Sequence, residues 1–338
     1  MKLSFSFIIP VYNRPDEVRE LLQSCVDQTY TEAFEVVIVE DGSTEPSDTV
    51  VATFKEKLAI TYLKKENTGP GDSRNYGMHK AQGNYCIILD SDCILPPSYL
   101  QVVSQNLGTN FVHCYGGPDA AHPSFSPIQK AINYAMTSLL TTGGIRGRKQ
   151  ALGKFQPRSF NMGISKEAFD ATGGFGNIHP GEDPDLSIRL WDLGYNTRLL
   201  PEAFVYHKRR INWKKFYTQV NKFGMVRPIL SKWHPQTAKL TYWFPTVFCI
   251  GFVIAVISAL VSNSLYLLLP IGIYLFYFTI LFFHAWYQTK RLNIALLALI
   301  AVGIQFMGYG YGFLKSTFLV NFSKKQPEQL FPKLFFKP

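Results

Sequence analysis

Along the first two hundred residues, apolar runs of strand length alternate with segments of helical period. Four runs are rich in Ile, Val, Phe and Tyr: Phe5 to Ile9, Phe34 to Val39, Ile60 to Leu63 and Tyr85 to Leu89. Between the first two runs, the stretch from Asp16 to Gln28 has its apolar side chains on one helical face. Strands that are apolar almost throughout, alternating with helices, predict an α/β fold with a mostly parallel sheet covered on both faces.

Three later apolar runs are long enough to cross a membrane as helices: Trp243 to Val261, Leu265 to Ala285 and Leu292 to Leu314. Ser262-Asn263-Ser264 separates the first two, so we expect a tight hairpin there. Lys290 and Arg291, before the third run, belong on the cytoplasmic side. Three complete crossings would export a tail with five lysines after residue 314, against the positive-inside tendency. Either one run does not cross completely or the tail is an exception.

The stretch before these runs is basic and aromatic. A helix here would carry apolar side chains on one face and three lysines on the opposite face. The apolar face comprises Trp213, Phe216, Tyr217, Val220 and Phe223, and the lysines are Lys214, Lys215 and Lys222. This pattern is typical of a helix in the membrane interface, and a helix packed on the preceding domain is the alternative. Pro228 is predicted to end the helix and Pro235 to break the next segment. We therefore expect a catalytic domain at 1–208, a basic amphipathic interfacial segment at 209–241, and a membrane domain at 242–338 with about three hydrophobic helices and a basic tail.

Charge divides the chain at nearly the same place. All but one of the 24 acidic residues precede residue 203, whereas the remainder holds Glu328 and sixteen of the 34 lysines and arginines. An acidic globular part beside a basic apolar part fits an enzyme on an anionic membrane better than a nucleic-acid-binding protein. The five cysteines show no C-x-x-C spacing, and the first apolar run is too short for a signal peptide. Both observations favour a catalytic domain with reduced thiols in the cytosol.

The residues that follow three of the predicted strands lie at the strands' carboxyl ends, where parallel α/β sheets bind ligands. They are Pro10, Val11 and Asn13 after the first strand, Asp41 after the second, and Asp90, Ser91 and Asp92 after the fourth. Two carboxylates at i and i+2 around a small residue can hold a hard divalent cation, which in turn binds a diphosphate. Turn formation alone is the alternative for Asp90 and Asp92, and an Asx turn is the alternative for Asp41.

Two predicted helix starts carry further candidates. Arg74 would point from the first turn of a helix from Ser73 to Ala81, where phosphate binds readily, and an ordinary loop and cap is the alternative. Glu182 and Asp183 open another helix, and a carboxylate there is placed to take a proton from an attacking hydroxyl. His207 follows a short apolar strand and is a candidate metal ligand, although a lone histidine is more often structural.

In this order the segments resemble the motifs of family 2 glycosyltransferases, which have the GT-A fold. The segments are Ile8 to Arg14, Val39 to Ser43, Arg74-Asn75, Leu89 to Asp92, Gly181 to Asp183 and Tyr206-His207. Each motif is common alone, but their order and spacing make the resemblance specific over roughly residues 4 to 210. The resemblance implies a Rossmann-like, mostly parallel sheet flanked by helices, and an inverting transfer from a nucleotide sugar.

The resemblance also implies roles for single residues. Val11 and Asp41 would border the nucleobase, while Asp90 would contact the ribose or the metal. Asp92 and His207 would ligate Mg²⁺ or Mn²⁺.

At the acceptor side of the site, the resemblance makes Asp183 the base, with Glu182 beside it. Asn161 and Gly163 resemble the loop that meets donor and acceptor. The candidates for binding the nucleotide sugar are therefore Pro10, Val11, Asn13, Asp41, Arg74, Asp90, Ser91, Asn161 and Gly163.

A membrane-bound transferase with cytosolic chemistry is expected to act on a lipid-linked acceptor at the inner, cytoplasmic membrane. We expect addition of one hexose to a polyprenyl-diphosphate-linked saccharide in cell-surface polysaccharide assembly, and a polyprenyl phosphate is the closest alternative. Processive synthases of the family carry Gln-x-x-Arg-Trp after the base, whereas Lys222 and Phe223 follow Gln219 here, which favours single-sugar addition. A non-catalytic membrane scaffold is the alternative from another class, and the intact acidic motifs argue against it.

Overall fold

The computed structural model of the chain describes residues 2–120, 125–143, 154–208, 212–261 and 264–336. Contacts between residues divide the chain into two units. The first comprises Met1–His122, Gly147–Lys208 and Phe335–Pro338, and it is called the catalytic unit below after the catalytic domain expected at 1–208. The second, the helical unit, comprises Pro123–Arg146 and Arg209–Leu334. The chain therefore leaves the catalytic unit and returns to it twice.

The catalytic unit is built on two sheets. Its described residues form ten strands: β1 Phe5–Val11, β2 Glu35–Asp41, β3 Ala59–Lys65, β4 Tyr85–Leu89, β5 Cys93–Ile94, β6 Cys114–Gly116, β7 Asp119–Ala120, β8 Asn161–Ser165, β9 Thr197–Leu199 and β10 Val205–His207. Seven of them form one sheet in the order β3-β2-β1-β4-β8-β6-β9, and the other three form a small sheet in the order β5-β10-β7. Strands β1 to β4 are mutually parallel, while β8 runs antiparallel to β4 and β6. The predicted mostly parallel sheet, with its first four strands, is confirmed.

Helices cover both faces of the large sheet. In the catalytic unit they are α1 Pro15–Val26, α2 Asp48–Ala52, α3 Pro70–Lys80, α4 Tyr99–Thr109, α7 Lys166–Thr172 and α8 Glu182–Asp192. Because side chains alternate along a strand, Phe7 and Ile9 join the core that α1 covers, whereas Ile8 joins the core that contains Met78 of α3. The buried strands thus position their carboxyl ends rigidly, and the candidate residues lie there.

The helical unit contains α5 Pro127–Thr137, α6 Leu139–Thr142, α9 Trp213–Trp233, α10 Phe244–Val261, α11 Leu265–Thr289, α12 Leu292–Phe322 and α13 Pro327–Leu330. Among the helices that the structure describes, three are long and apolar enough to cross a membrane: α10, α11 and α12. The hairpin predicted at Ser262-Asn263-Ser264 falls partly on residues outside the described ranges. α9 and α12 pack closely along Gly224, where an added Cβ would lie 2.2 Å from the Tyr309 carbonyl oxygen.

The prediction that Pro228 ends the basic helix is wrong, because α9 continues through Pro228 to Trp233. A proline inside a helix removes one hydrogen bond and crowds the carbonyl four residues earlier. Pro228, Ile229 and Leu230 are all buried, so tertiary packing outweighs this local cost. Pro235 does interrupt the helical path, as predicted, since a short 3₁₀ turn follows at Pro235–Thr237.

Candidate active site

The loops after β1 and β2 are tied together through Asn13. Its backbone has a positive φ of 53°, and its side-chain Oδ1 accepts hydrogen bonds from Glu45 N at 2.9 Å and Thr44 Oγ1 at 3.1 Å. Asn13 N donates to Ser43 Oγ at 2.8 Å. Asn13 therefore fixes the shape of the edge at which the sequence predicted a nucleotide, and a direct contact with ligand stays a prediction.

Asp41, at the end of β2, is buried and holds the loop before α3. Its two carboxylate oxygens accept hydrogen bonds from Lys65 Nζ at 2.7 Å, Thr68 N at 3.0 Å and Gly69 N at 3.0 Å. Neither an exposed acid nor a simple Asx turn describes this arrangement. These bonds engage both carboxylate oxygens within the protein. A contact between Asp41 and a nucleobase therefore stays a prediction.

Pro10, Val11 and Ser91 lie close to the same edge. The Val11 side chain is buried in the core on the α1 side, and Ser91 is nearly buried between the two aspartates that follow β4. Pro10 is only partly covered. Their predicted contacts with the donor stay predictions, and through its side chain Val11 contributes to the core.

Arg74 joins two acidic segments that are far apart in the chain. Its Nη2 donates to Asp90 Oδ1 at 2.9 Å, and its Nη1 donates to Glu182 Oε1 at 3.0 Å. The guanidinium is buried, and its Cζ lies 5.3 Å from the centroid of the Phe175 ring. The carboxylates after β4 and those that begin α8 consequently meet at one site.

Arg74 does not lie in the first helical turn as predicted, because α3 begins at Pro70 rather than Ser73. Proline fits the first position of a helix, where its missing N–H would have no partner in any case. The earlier start places Arg74 in the second turn. Both terminal nitrogens are bound to carboxylates, so a phosphate contact by Arg74 stays a prediction.

Glu182 and Asp183 differ in their surroundings. Burial opposes ionisation of Glu182, but His179, whose Nδ1 lies 2.8 Å from Oε1, and Arg74 outweigh it and hold the pKa of Glu182 below its ordinary value. Burial, followed by the negative charge of Glu182, raises the pKa of Asp183. Within the described part of the chain, Asp183 Oδ1 is buried and has no hydrogen-bond partner. Glu182 is thus a fixed anion, and Asp183 is the neighbour better suited to accept a proton.

The small sheet brings His207 to the aspartates after β4. Because β10 pairs antiparallel with β5, His207 is opposite Cys93, and its Nε2 lies 3.2 Å from Asp92 Oδ1 and 4.0 Å from Asp90 Oδ2. The Phe160 ring stacks on the imidazole at 4.8 Å between centroids. Two aspartates and a histidine, partly open to solvent, form a donor set of the kind that binds divalent cations.

Cys93 Sγ also lies close to Asp92 and His207. Burial, and after it the charge of Asp92, raises the pKa of this thiol well above its ordinary value. Carboxylate oxygens suit hard cations such as Mg²⁺ and Mn²⁺, whereas a thiolate suits softer metals. The aspartates and the imidazole are therefore the candidate ligands of this cluster for a hard cation.

Asp119 belongs to the same cluster, although no sequence motif indicates it. It lies on β7, it is buried, and its Oδ2 is 3.8 Å from His207 Nδ1. The imidazole thus has a carboxylate near each ring nitrogen. An isolated acid in a two-residue strand has no motif around it, and only the parallel pairing of β7 with β10 brings it to His207.

The expectation of a loop at Asn161 and Gly163 is wrong, because both residues lie in the buried strand β8. Asn161 Nδ2 donates to Ala203 O at 2.7 Å, and its Oδ1 accepts from Tyr99 Oη at 2.5 Å. A Cβ at Gly163 would lie 2.0 Å from the Tyr115 ring, so glycine is required for sheet packing. The contacts of Asn161 and Gly163 with the donor, which the resemblance implied, stay predictions.

Comparison with known proteins shows which family the chain belongs to. Residues 6–173 match the model of glycosyl transferase family 2, and the chain belongs to that family. It is similar to an uncharacterized glycosyltransferase of Haemophilus influenzae, with 31% identity over 194 residues, 55% of this chain and 61% of that protein. It is also similar to the glycosyltransferase GlyA of Streptococcus pneumoniae serotype 4, with 36% identity over 101 residues, 30% of this chain and 14% of GlyA. The chain thus spans less than two thirds of the length of either relative.

Among solved structures, the mannosyltransferase PcManGT of Pyrobaculum calidifontis, solved with GDP-Man and Mn²⁺, resembles the chain with a TM-score of 0.60. The likeness covers 91% of this chain and 88% of PcManGT at 18% sequence identity. Similarity at that level concerns the fold. It confirms the predicted GT-A architecture, followed by the carboxyl-terminal helices.

Proposed function

We propose that the chain transfers a single hexose from a nucleotide-diphosphate sugar to a lipid-linked acceptor, with inversion at the anomeric carbon. The observation that carries the proposal is the double contact of Arg74 with Asp90 and Glu182. Through it, the aspartates suited to a cation and the carboxylate suited to a proton share one site. Sugar transfer from a diphosphate requires both roles, since a cation stabilises the departing diphosphate and a base takes the proton of the acceptor.

The donor set of Asp90, Asp92 and His207 fits Mg²⁺ or Mn²⁺. Neighbouring ligands of an octahedral ion with bonds of about 2.1 Å lie about 3 Å apart, and the 3.2 Å between His207 Nε2 and Asp92 Oδ1 matches that spacing. A bound ion would neutralise the charge that develops on the departing diphosphate. Binding of GDP-Man and Mn²⁺ by PcManGT supports this assignment by analogy of fold.

Asp119 is proposed to position His207. A carboxylate near Nδ1 favours the tautomer with its proton on that nitrogen, which leaves the Nε2 lone pair directed towards Asp92. Carboxylates that orient a ligating histidine in this way also raise its basicity. Asp119 acts through His207 and needs no contact with the substrate.

Asp183 is proposed as the base. It would take the proton of the acceptor hydroxyl while that oxygen bonds to the anomeric carbon and the bond to the diphosphate breaks on the opposite face. A raised pKa makes the Asp183 carboxylate a stronger base than an ordinary aspartate. Glu182, held by Arg74 and His179, would keep Asp183 and the start of α8 in place.

The proposed acceptor is a polyprenyl-diphosphate-linked saccharide at the cytoplasmic face of the inner membrane, in cell-surface polysaccharide synthesis. Three described helices long and apolar enough to cross a membrane support a lipid-linked acceptor, since enzyme and substrate would then share the bilayer. The basic residues around these helices support the cytoplasmic face. Lys222 and Phe223 after Gln219 support addition of one sugar.

The donor is tested by thermal unfolding of the full-length protein in detergent with a panel of nucleotide sugars, each with and without Mn²⁺. We expect one donor to raise the unfolding temperature in a metal-dependent way, because a ligand bound only by the folded state stabilises it. The Asp92→Asn variant should lose the metal dependence of this shift. The control variant Asp27→Asn, at the exposed C-cap of α1, should keep it. If no nucleotide sugar stabilises the protein, the proposal is wrong.

The acceptor is tested with the donor so identified. Transfer of one labelled sugar to polyprenyl-diphosphate-linked saccharides, with none to polyprenyl phosphate, is the expected result. Product that carries many added sugars would contradict single-sugar transfer. Equal transfer to a water-soluble saccharide would contradict the lipid-linked acceptor.

A further inference from the structure

The chain returns to the catalytic unit after the apolar helices. Phe335 forms a bridge with Ile178, Phe336 N donates to Asn177 O at 3.1 Å, and the Phe336 ring lies beside Gly69 at the start of α3. Residues before and after the apolar helices are therefore parts of one folded unit. A folded unit lies on one side of a membrane, so the chain between His207 and Phe335 crosses an even number of times. Three crossings are incompatible with this return.

α12 is the helix whose surroundings differ from those of a membrane span. α9 runs along its second half, where Asn221 Nδ2 donates to Gly308 O at 2.9 Å, Ser316 Oγ to Met225 O at 2.6 Å, and Lys232 Nζ to Val320 O at 3.4 Å. α9 carries five cations: Lys214, Lys215, Lys222, Arg227 and Lys232. Cations are costly in hydrocarbon, so α9 and the part of α12 that it covers belong outside it.

The remainder of α12 is too short to cross alone. From Leu292 to Met307 it would extend about 24 Å at 1.5 Å per residue, less than the roughly 30 Å of a bilayer's hydrocarbon. α12 is also the most enclosed of the three apolar helices, with 44% of its most apolar window buried, against 11% for each of the others. Its large exposed side chains, such as Ile300, Met307 and Leu314, recur every seven residues and so share one face.

α10 and α11 have the opposite character. No Asp, Glu, Lys or Arg occurs from residue 240 to residue 289. The two helices pack on each other through Phe248 and Tyr274, whose hydroxyl donates to Phe248 O at 2.8 Å, while large apolar side chains such as Ile254 and Ile273 are exposed. With 18 residues, α10 is about 27 Å long, close to the hydrocarbon thickness. Lipid is the solvent that suits such a surface.

We propose that α10 and α11 cross the bilayer as a two-helix hairpin in contact with acyl chains, and that α12 and the tail stay on the side of the catalytic unit. This arrangement resolves the conflict between three apolar runs and the positive-inside tendency. Lys290, Arg291 and the tail lysines then lie on one side with α9, and the connection at residues 262–264 has no charge. Because residues 203–327 contain no acid, the exposed lysines of α9 face anionic headgroups.

The test uses single cysteines in the full-length protein and a membrane-impermeant maleimide. In a Cys249→Ala background the remaining native thiols are buried, and Ser264→Cys, Arg291→Cys and Lys324→Cys each introduce one thiol at an exposed position. In intact cells we expect only Ser264→Cys to be labelled. Permeabilised cells should show labelling of all three.

Labelling of Lys324→Cys from outside would demonstrate a third crossing and overturn the proposal. Failure of Ser264→Cys to be labelled from outside, with labelling after permeabilisation, would also overturn it, since the pair would then dip into one leaflet. The proposal rests on the membrane location proposed above. It does not depend on the chemistry, because the labelling pattern is measured whether or not the protein transfers sugar.

Discussion

The catalytic unit and the helical unit use apolar and charged residues in opposite ways. In the catalytic unit, strand residues such as Phe7 and Ile9 are fully buried, and charges meet inside, as at Arg74 with Asp90 and Glu182. In the helical unit, Ile254 is 59% exposed and Ile273 is 69% exposed, and Glu328 is the one acid in its sequence. The catalytic unit thus removes charged groups from water, whereas the helical unit exposes apolar side chains on helices that are long and apolar enough to cross a membrane.

The units also differ in how their polar groups are satisfied. Acids in the catalytic unit accept from side chains and backbone together, as Asp41 does. In the helical unit, side-chain donors reach backbone carbonyls across helices, as from Asn221 to Gly308, Thr246 to Gly310 and Ser316 to Met225. Small residues allow helix backbones to come close enough for such bonds. The comparison teaches that ionic pairs specify one unit and close backbone approach specifies the other.

Asp183→Asn should have the largest effect, because it replaces the proposed base, a buried carboxylate, with an amide that cannot accept the proton. We expect the transfer rate to fall about a hundredfold to ten-thousandfold, with donor binding nearly unchanged. Single-turnover rates and donor-dependent thermal shifts measure the two separately. Asp192→Asn, at the exposed end of the same helix, should retain transfer, and transfer retained by Asp183→Asn would exclude this residue as the base.

Asp119→Asn should have the next largest effect. The amide cannot stabilise the His207 tautomer as a carboxylate does, so we expect Mn²⁺ affinity to fall about tenfold to a hundredfold. Titration of Mn²⁺ followed by electron paramagnetic resonance reports this without any turnover. Unchanged Mn²⁺ affinity would restrict Asp119 to a structural role in β7.

A matched pair of glycine substitutions tests the packing of the helical unit. Gly224→Ala would place a Cβ 2.2 Å from Tyr309 O, so α9 and α12 must move apart, at a cost of about 1 to 3 kcal/mol. Gly272→Ala meets no described atom within 4 Å, and alanine is the better helix former by about 1 kcal/mol. The unfolding temperature in detergent should fall for the first variant and hold or rise for the second. Equal responses would mean that close approach does not specify this unit.

The smallest expected effect is a shift in the pH dependence of the transfer rate. As the proposed base, Asp183 must be deprotonated, so transfer should decline as pH falls through its pKa, which lies above the ordinary aspartate value of about 3.9. Glu182→Gln removes one of the two causes that raise this pKa, so the acidic limb of the rate profile should move to lower pH, although burial remains. The position of the limb, and not its height, is the measurement. A limb that stays in place would assign the titration to another group.

Much of the catalytic unit follows from the sequence because its core strands are apolar almost throughout. Runs such as Tyr85 to Leu89 predicted both the strand and the position of the aspartates after it. Helix α9 shows the limit of local reasoning, since Pro228 carries a true local signal that buried packing overrides. No pattern in the sequence indicates that residues 123–146 belong to the helical unit, because this assignment depends on contacts with distant residues.

The candidate site shows the same division. Asp92 and Asp183 were predicted from motifs, whereas Asp119 and the internal bonds of Asp41 and Asn161 depend on pairing between distant segments. A sequence states which residues can bind a ligand. It does not state which of them are already bound to the protein itself.

The contact of Phe336 with the start of α3 has a consequence for biosynthesis. The ribosome makes Gly69 first and Phe336 only after α10, α11 and α12, so this contact cannot form until all three apolar helices have been synthesised. Packing at the start of α3 is therefore completed late in translation, although most of the sheet beside it is made early.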